Sequence, residues 1–288
     1  MSNVMKVLVT GAYGQLGSAV VKELQSREHV VIETDIHNMD ITDIESVTEC
    51  MFRNDPDAVI HCAAWTNVDS AEDDEKDEIV TKVNVEGTQN IVNLCNILDS
   101  KLIYISTDYV FDGAGATPYD PDFCVCDPLS KYGKSKMEGE QRIMGSSHEE
   151  YYIVRISWLF GKNGKNFVDT MMTLSNRDSI NVVSDQIGRP TYAPDLARLL
   201  VDMLETDRYG VYHVSNEGEY ISWADFACEI FNQRGITTKV NRVSTEEYGQ
   251  TKAVRPKNSR LRTDKLIKNG FEPLPDWKDA ITRYFREE

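Results

Sequence analysis

Short, nearly unbroken apolar runs alternate along the chain with stretches whose apolar residues recur every three or four positions. This pattern predicts strands over Val4–Thr10, His29–Thr34, Ala58–Cys62, Lys101–Ser106 and Tyr152–Ile156. Between them it predicts helices over Gln15–Gln25, Ile44–Arg53, Val80–Leu98 and Ser130–Ile143. Continuous apolar strands are those covered on both faces, and strands alternating with helices are joined by right-handed crossovers. The expected fold class is therefore α/β, with a doubly wound parallel sheet. After about residue 165 the rhythm changes, with helices expected over Asn166–Ser175, Pro194–Glu205 and Trp223–Arg234 and strands over Asn181–Ser184 and Gly210–Val214. We read 1–165 as the sheet domain and 166–288 as a smaller α/β domain, interleaved with the sheet around 180–215.

Composition narrows the partners. The 288 residues hold 31 Lys+Arg against 47 Asp+Glu, a formal charge of −16. So acidic a chain is not expected to bind nucleic acid or an anionic membrane, both of which need a basic surface. No run approaches the roughly 18 apolar residues of a membrane span, and the N-terminus lacks a secretory pattern. The six cysteines are scattered, and the one close pair, Cys124 and Cys126, has no second pair or nearby His for zinc. Reduced thiols and a cytoplasmic location are expected. The charge is uneven, however: from Arg234 onward there are 13 basic and 8 acidic residues, seven of the basic ones within Lys252–Lys268. That stretch suits either a diphosphate or a solvated face. The acid-rich Asp69–Glu78 reads as a solvated helix start, His61 as structural, and Trp223, Phe226 and Phe231 as a core stripe.

Chemistry enters at the first strand–helix junction, Gly11-Ala-Tyr-Gly14-Gln-Leu-Gly17. Glycines there permit a tight turn, close approach of backbone to a pyrophosphate and close packing of helix on strand; the helix N-terminus adds free N–H groups. The G-x-x-G-x-x-G spacing in this position points to a dinucleotide in a Rossmann-type sheet. The expected cofactor contacts are Gly11, Tyr13, Gly14, Gln15, Leu16 and Gly17. Asp35, 18 residues past Gly17, suits the ribose hydroxyls of NAD and would repel the extra phosphate of NADP; a helix cap or loop acid is the alternative. Asp40 and Ile41 are placed to flank the adenine.

Tyr132 and Lys136 are spaced to project from one helix face. An ammonium beside a phenol favours the phenolate, and the spacing predicts a Tyr132 pKa below its usual value of about 10. Such a tyrosine can exchange a proton with a carbonyl or alcohol oxygen. Ser106-Thr107-Asp108 follows the strand from Lys101, where open α/β sheets bind their ligands, so Thr107 is expected to meet Tyr132 and Lys136.

With these segments the chain resembles the extended short-chain dehydrogenase/reductases. The likeness spans Val9–Gly17, His61–Asp69, Tyr104–Gly113, Tyr132–Lys136, Arg155–Gly161, Ser184–Tyr192 and Gly210–Asn216, and so most of the chain. It implies hydride transfer from NADH or NADPH to the 4-keto carbon of a dTDP-linked 4-keto-6-deoxyhexose, dTDP-4-dehydro-L-rhamnose. By position, Thr107 would orient the keto oxygen, Tyr132 would protonate it, and Lys136 would tune Tyr132 and hold the ribose. Ala63, Ala64 and Trp65 would border the cofactor. Val68, Asp69, Thr107, Asp108, Tyr109, Trp158, Arg189 and Arg255 would contact the sugar nucleotide, making 166–288 mainly substrate-binding. Some members share a glutamate-held metal between subunits; Ala19 and Pro194 stand at two of those positions, so no metal and a monomer or weak homodimer are expected. Trp65 stands where the family more often has Tyr.

Other readings are set against this one. A dehydratase of the same family carries Asp-Glu after the threonine, whereas here Tyr109 follows Asp108, leaving no second carboxylate to abstract a proton. An epimerase, or a reductase of another keto sugar nucleotide, would share the same residues. A non-catalytic NADP-binding subunit, like the β subunit of methionine adenosyltransferase, would copurify with a partner and show no turnover.

Overall fold

The computed structural model of the protein describes residues 4–123, 125–249 and 251–287. Cys124, half of the close cysteine pair, lies outside them. The first half carries the predicted alternation: β1 (Lys6–Thr10), α1 (Gln15–Ser26), β2 (Val30–Thr34), α2 (Ile44–Asn54) and β3 (Ala58–His61). Then come α3 (Asp77–Thr81), α4 (Gly87–Leu98), β4 (Lys101–Thr107), α5 (Lys131–Met144) and β5 (Tyr151–Ile156). One parallel sheet runs in the order Gly210–Val214, β5, β4, β3, β1, β2. The chain winds outward from β1 in both directions, and the crevice at this switch point opens at the strands' carboxyl ends.

The continuous apolar character of the strands has the expected cause. In β1, Val7 and Val9 face one layer, with Leu16, Val20 and Leu24 of α1 and Leu196 and Leu200 behind them. Leu8 points the other way, onto Val47 and Met51 of α2 and Ile91 and Val92 of α4. All three β1 side chains are fully buried.

The expected helix over Val80–Leu98 is instead two α-helical pieces joined by a wide π-turn, Lys82–Glu86. The extra residue turns Asn84 inward, where its carboxamide accepts from the Trp65 amide at 2.8 Å and donates to the Trp65 carbonyl at 3.1 Å and the Ser135 hydroxyl at 2.9 Å. A π-turn of this kind commonly sits beside a functional site.

The two lobes share the chain unevenly. Helix α7 (Ala193–Leu204) and the strand Gly210–Val214 complete the large sheet. Strand Ser179–Val183 pairs with Lys239–Val243, and with α6 (Phe167–Leu174), α8 (Trp223–Arg234) and the helix Trp277–Arg286 it forms the smaller lobe. Phe226 and Phe231 sit in that lobe's core, as the stripe predicted. Among the described residues no helix is long and apolar enough to cross a membrane.

Candidate active site

A cleft of about 790 Å³ runs from the glycine-rich turn to the carboxyl end of β4. At one end, Gly11 takes a left-handed φ of +61° and Gly14 caps α1 without a side-chain bond, leaving the N–H groups of the first turn unpartnered within the helix. A Cβ at Gly17 would collide with the Gly11 carbonyl, so helix and strand approach this closely only because Gly17 is bare. Thr10 closes the floor: its hydroxyl lies 2.7 Å from His61 Nδ1 and accepts from the Ala63 amide at 3.0 Å. Burial drops the His61 imidazole to about 3, so it stays neutral and structural, as predicted. Asp35, Ile36, Met39, Asp40, Ile41 and Thr42 form the wall beyond β2. Gln15 Oε1 is buried without a hydrogen-bond partner, and the first-turn amides face the same cleft. An anionic dinucleotide fits these groups.

The other end is built by β4 and α5. Thr107 ends β4 and caps the short turn Asp108–Val110 by accepting from the Tyr109 amide at 3.2 Å. Ser130 caps α5, accepting from the Gly133 amide at 3.1 Å. Tyr132, Ser135, Lys136, Gly139, Glu140 and Ile143 then form the helix's buried face. Thr107, Tyr132 and Lys136 line the cleft together with Asp108, Tyr109 and Trp158. The Tyr132 ring meets that of Tyr109 edge-on at 5.6 Å, and Trp223 stacks behind Trp158 at 3.8 Å.

The electrostatics correct one expectation. Burial pushes the Tyr132 phenol up, not down; the neighbouring Thr107 hydroxyl only partly offsets this, and Asp108 adds to it. The Lys136 ammonium lies 4.0 Å over the Tyr104 ring rather than in an ion pair with Tyr132. Burial lowers Lys136 to about 7, against the opposing pull of Glu140. Sequence spacing places the two groups on one face but carries no information about desolvation, which here dominates. The phenol is thus held in its protonated form.

Behind Lys136 stands a network that the motifs did not flag. Glu140, fully buried, accepts from Arg155 at 2.6 Å and 2.9 Å and from the Ser106 hydroxyl at 2.5 Å. Its sequence signal was its place one turn beyond Lys136 on the same face. The loop carrying Asn163, Gly164 and Lys165 also lines the cleft, held by an Asn163 bond to the Ser18 hydroxyl at 3.1 Å.

Several expected contacts lie elsewhere. Tyr13 is exposed and does not line the cleft. Trp65 packs with Ala71, Val80 and Tyr132 just behind the wall formed by Ala63, Ala64 and Val68. Arg189 is buried away from the cleft, its guanidinium shared among Glu217, the Gly218 and Leu261 carbonyls and Thr263. Arg255 grips Asp69 through both carboxylate oxygens, at 3.0 Å and 2.7 Å, so these two serve each other at the cleft's edge. The basic stretch as a whole is spent within the molecule: Lys252 on Asp73, Lys257 on Asp185, Arg262 on Asp120 and Lys265 on Asp122. Within the acid-rich segment, Asp69 and Asp73 meet Arg255 and Lys252 of the second lobe, while Asp74 and Asp77 bond Lys131 of α5.

A nucleotide cradle opening directly onto a threonine–tyrosine–lysine cluster defines the class, a nicotinamide-dependent oxidoreductase of the short-chain dehydrogenase/reductase type. More narrowly, the chain belongs to the family described as RmlD substrate binding domain, whose model matches residues 5–288. It is 39% identical over 283 residues to the spore coat polysaccharide biosynthesis protein SpsK of Bacillus subtilis (strain 168), covering 98% of this chain and 97% of the relative. It is 38% identical to a dTDP-4-dehydrorhamnose reductase of Aggregatibacter actinomycetemcomitans, covering 96% and 97%. Among solved structures, dTDP-4-dehydrorhamnose reductase from Bacillus anthracis str. Ames in complex with NADP superposes with a TM-score of 0.94 at 41% identity, covering 99% of this chain and 100% of that one.

Proposed function

We propose that this chain uses NADH or NADPH to reduce the 4-keto group of dTDP-4-dehydro-L-rhamnose to the alcohol of dTDP-L-rhamnose. The observation that carries this reading is the continuity of one cleft from the glycine-rich turn to the Tyr132 hydroxyl; the full-length likeness to reductases of that substrate supports the choice of sugar. A nicotinamide cofactor bound there would supply the hydride to the keto carbon. Gly11, Gly14, Gln15, Leu16 and Gly17 would hold its pyrophosphate and Lys136 its nicotinamide ribose. Thr107 would hold the keto oxygen by a hydrogen bond. Tyr132, kept protonated by burial, would break its O–H bond and pass the proton to that oxygen. Val68, Tyr109 and Trp158 line the cleft and would wall the space for the sugar. The absence of carboxylates at Ala19 and Pro194 supports a monomer or weak homodimer working without a metal. Robust formation of a 4-keto-6-deoxy sugar from dTDP-glucose would instead make the chain a dehydratase.

Asp35 lines the cleft at the end of β2 and bears on the choice between the two cofactors. A carboxylate there would bond ribose hydroxyls and repel a ribose phosphate. Asp35→Ala should therefore lower kcat/KM for NADH about tenfold, the loss of one charged hydrogen bond, while NADPH is used as well or better. An unaltered NADH/NADPH ratio would remove Asp35 from the cofactor site.

A further inference from the structure

Thr107 carries one hydrogen and two lone pairs. Its oxygen accepts from the Tyr109 amide at 3.2 Å, its hydrogen goes to Asp108 Oδ1 at 3.0 Å, and the Tyr132 phenol stands beside it. An ionised Asp108 can only accept, so it claims the Thr107 hydrogen. One lone pair of Thr107 then stays open to the Tyr132 hydrogen, and neither hydrogen is aimed at a ketone. A protonated Asp108 reverses the bond. Thr107 then accepts from Asp108 as well as from Tyr109, both lone pairs are filled, and the Thr107 and Tyr132 hydrogens are left for the substrate.

We propose that Asp108 is a positioning residue whose neutral carboxyl turns the Thr107 and Tyr132 hydrogens together toward the keto oxygen. The inference rests on the reductase reading above. Asp108 keeps its own proton throughout; the proton gained by the ketone comes from the Tyr132 O–H bond.

The surroundings favour a neutral carboxyl. Asp108 is 2% exposed, lines the cleft, and its Oδ2 makes no hydrogen bond of normal geometry. A buried carboxylate with one oxygen poorly partnered is costly to ionise. The groups facing it are Thr107 and Tyr109 from its own turn, Tyr132 from α5 and the Ser259 hydroxyl from the second lobe. The Arg255–Asp69 pair lies beyond Tyr109, and Lys136 is turned to the Tyr104 ring. Among the described residues no cation pairs with Asp108. Burial pushes it up to about 6, with Ser259 and Thr107 moderating the rise.

The test is the pH dependence of kcat/KM for dTDP-4-dehydro-L-rhamnose with NADH or NADPH saturating, whichever the native chain oxidises, using the full chain. For the native enzyme, activity should be complete well below pH 6, fall to half near it and decline further as Asp108 ionises. In Asp108→Asn the amide donates to Thr107 at every pH. That variant should keep at least about a tenth of native activity and lose this limb, leaving only the later decline from Lys136. Asp108→Ala should lose about a hundredfold or more at all pH values. Thr107→Ala, with Asp108 intact, should show residual turnover without the Asp108 limb, which gives a second reading if Asp108→Asn does not fold. A limb unchanged in Asp108→Asn or in Thr107→Ala, or a folded Asp108→Asn as inactive as Asp108→Ala, would overturn the proposal while the native enzyme still reduced the sugar. An inert native enzyme would overturn the reductase reading, and this inference with it.

Discussion

Tyr132→Phe is expected to lower ketone reduction by about 10²–10⁴-fold, the range for losing a positioned proton donor, with cofactor affinity nearly unchanged. The substitution removes only the hydroxyl. The ring keeps its edge contact with Tyr109 and its place beside Ala71 and Val80. Because burial keeps the phenol protonated across the neutral range, the native enzyme keeps a proton on Tyr132 there, and Phe has none. The loss should fall on kcat, since the proton moves only in the transition state. Fluorescence titration of NADPH binding beside single-turnover reduction separates the two effects, and native-like turnover would refute the role of Tyr132 as donor.

Arg155→Leu is expected to cost about 3–5 kcal/mol of stability, the usual consequence of leaving one buried charge without its partner. Glu140 is fully buried, and two of its three bonded contacts come from this guanidinium. Urea midpoints should report this loss for Arg155→Leu, and the double variant Glu140→Leu/Arg155→Leu should recover most of it. A single-variant cost below about 1 kcal/mol would show that the pair is not the buried unit described.

Sequence legibility followed the range over which each signal acts. Strands and helices were readable because their burial is periodic: β1 alternates Val7 and Val9 against Leu8, and α5 repeats its inward residues from Tyr132 to Ile143. The glycine-rich turn and the threonine–tyrosine–lysine cluster were readable because each lies at a strand end or on one helix face. The π-turn at Lys82–Glu86 was not, since one extra residue in an apolar helical stretch leaves the period almost intact. The partners of the basic stretch were equally invisible. Lys252 meets Asp73 across 179 residues, a pairing that the fold makes and no local pattern announces. Arg189 misled for the same reason: its motif is local, but the buried carbonyls that consume its guanidinium come from segments 29 and 72 residues away. The sign of the Tyr132 shift was lost because spacing shows which charge is near and says nothing of how much water has been removed.

That one cleft joins the glycine-rich turn to Tyr132 has one direct consequence. Purified chain incubated with dTDP-4-dehydro-L-rhamnose, with NADH and NADPH oxidation followed in separate reactions, should oxidise at least one of them in step with the appearance of dTDP-L-rhamnose. No oxidation of either cofactor, with the protein folded and the cofactor shown to bind, would contradict the assignment of this cleft to ketone reduction.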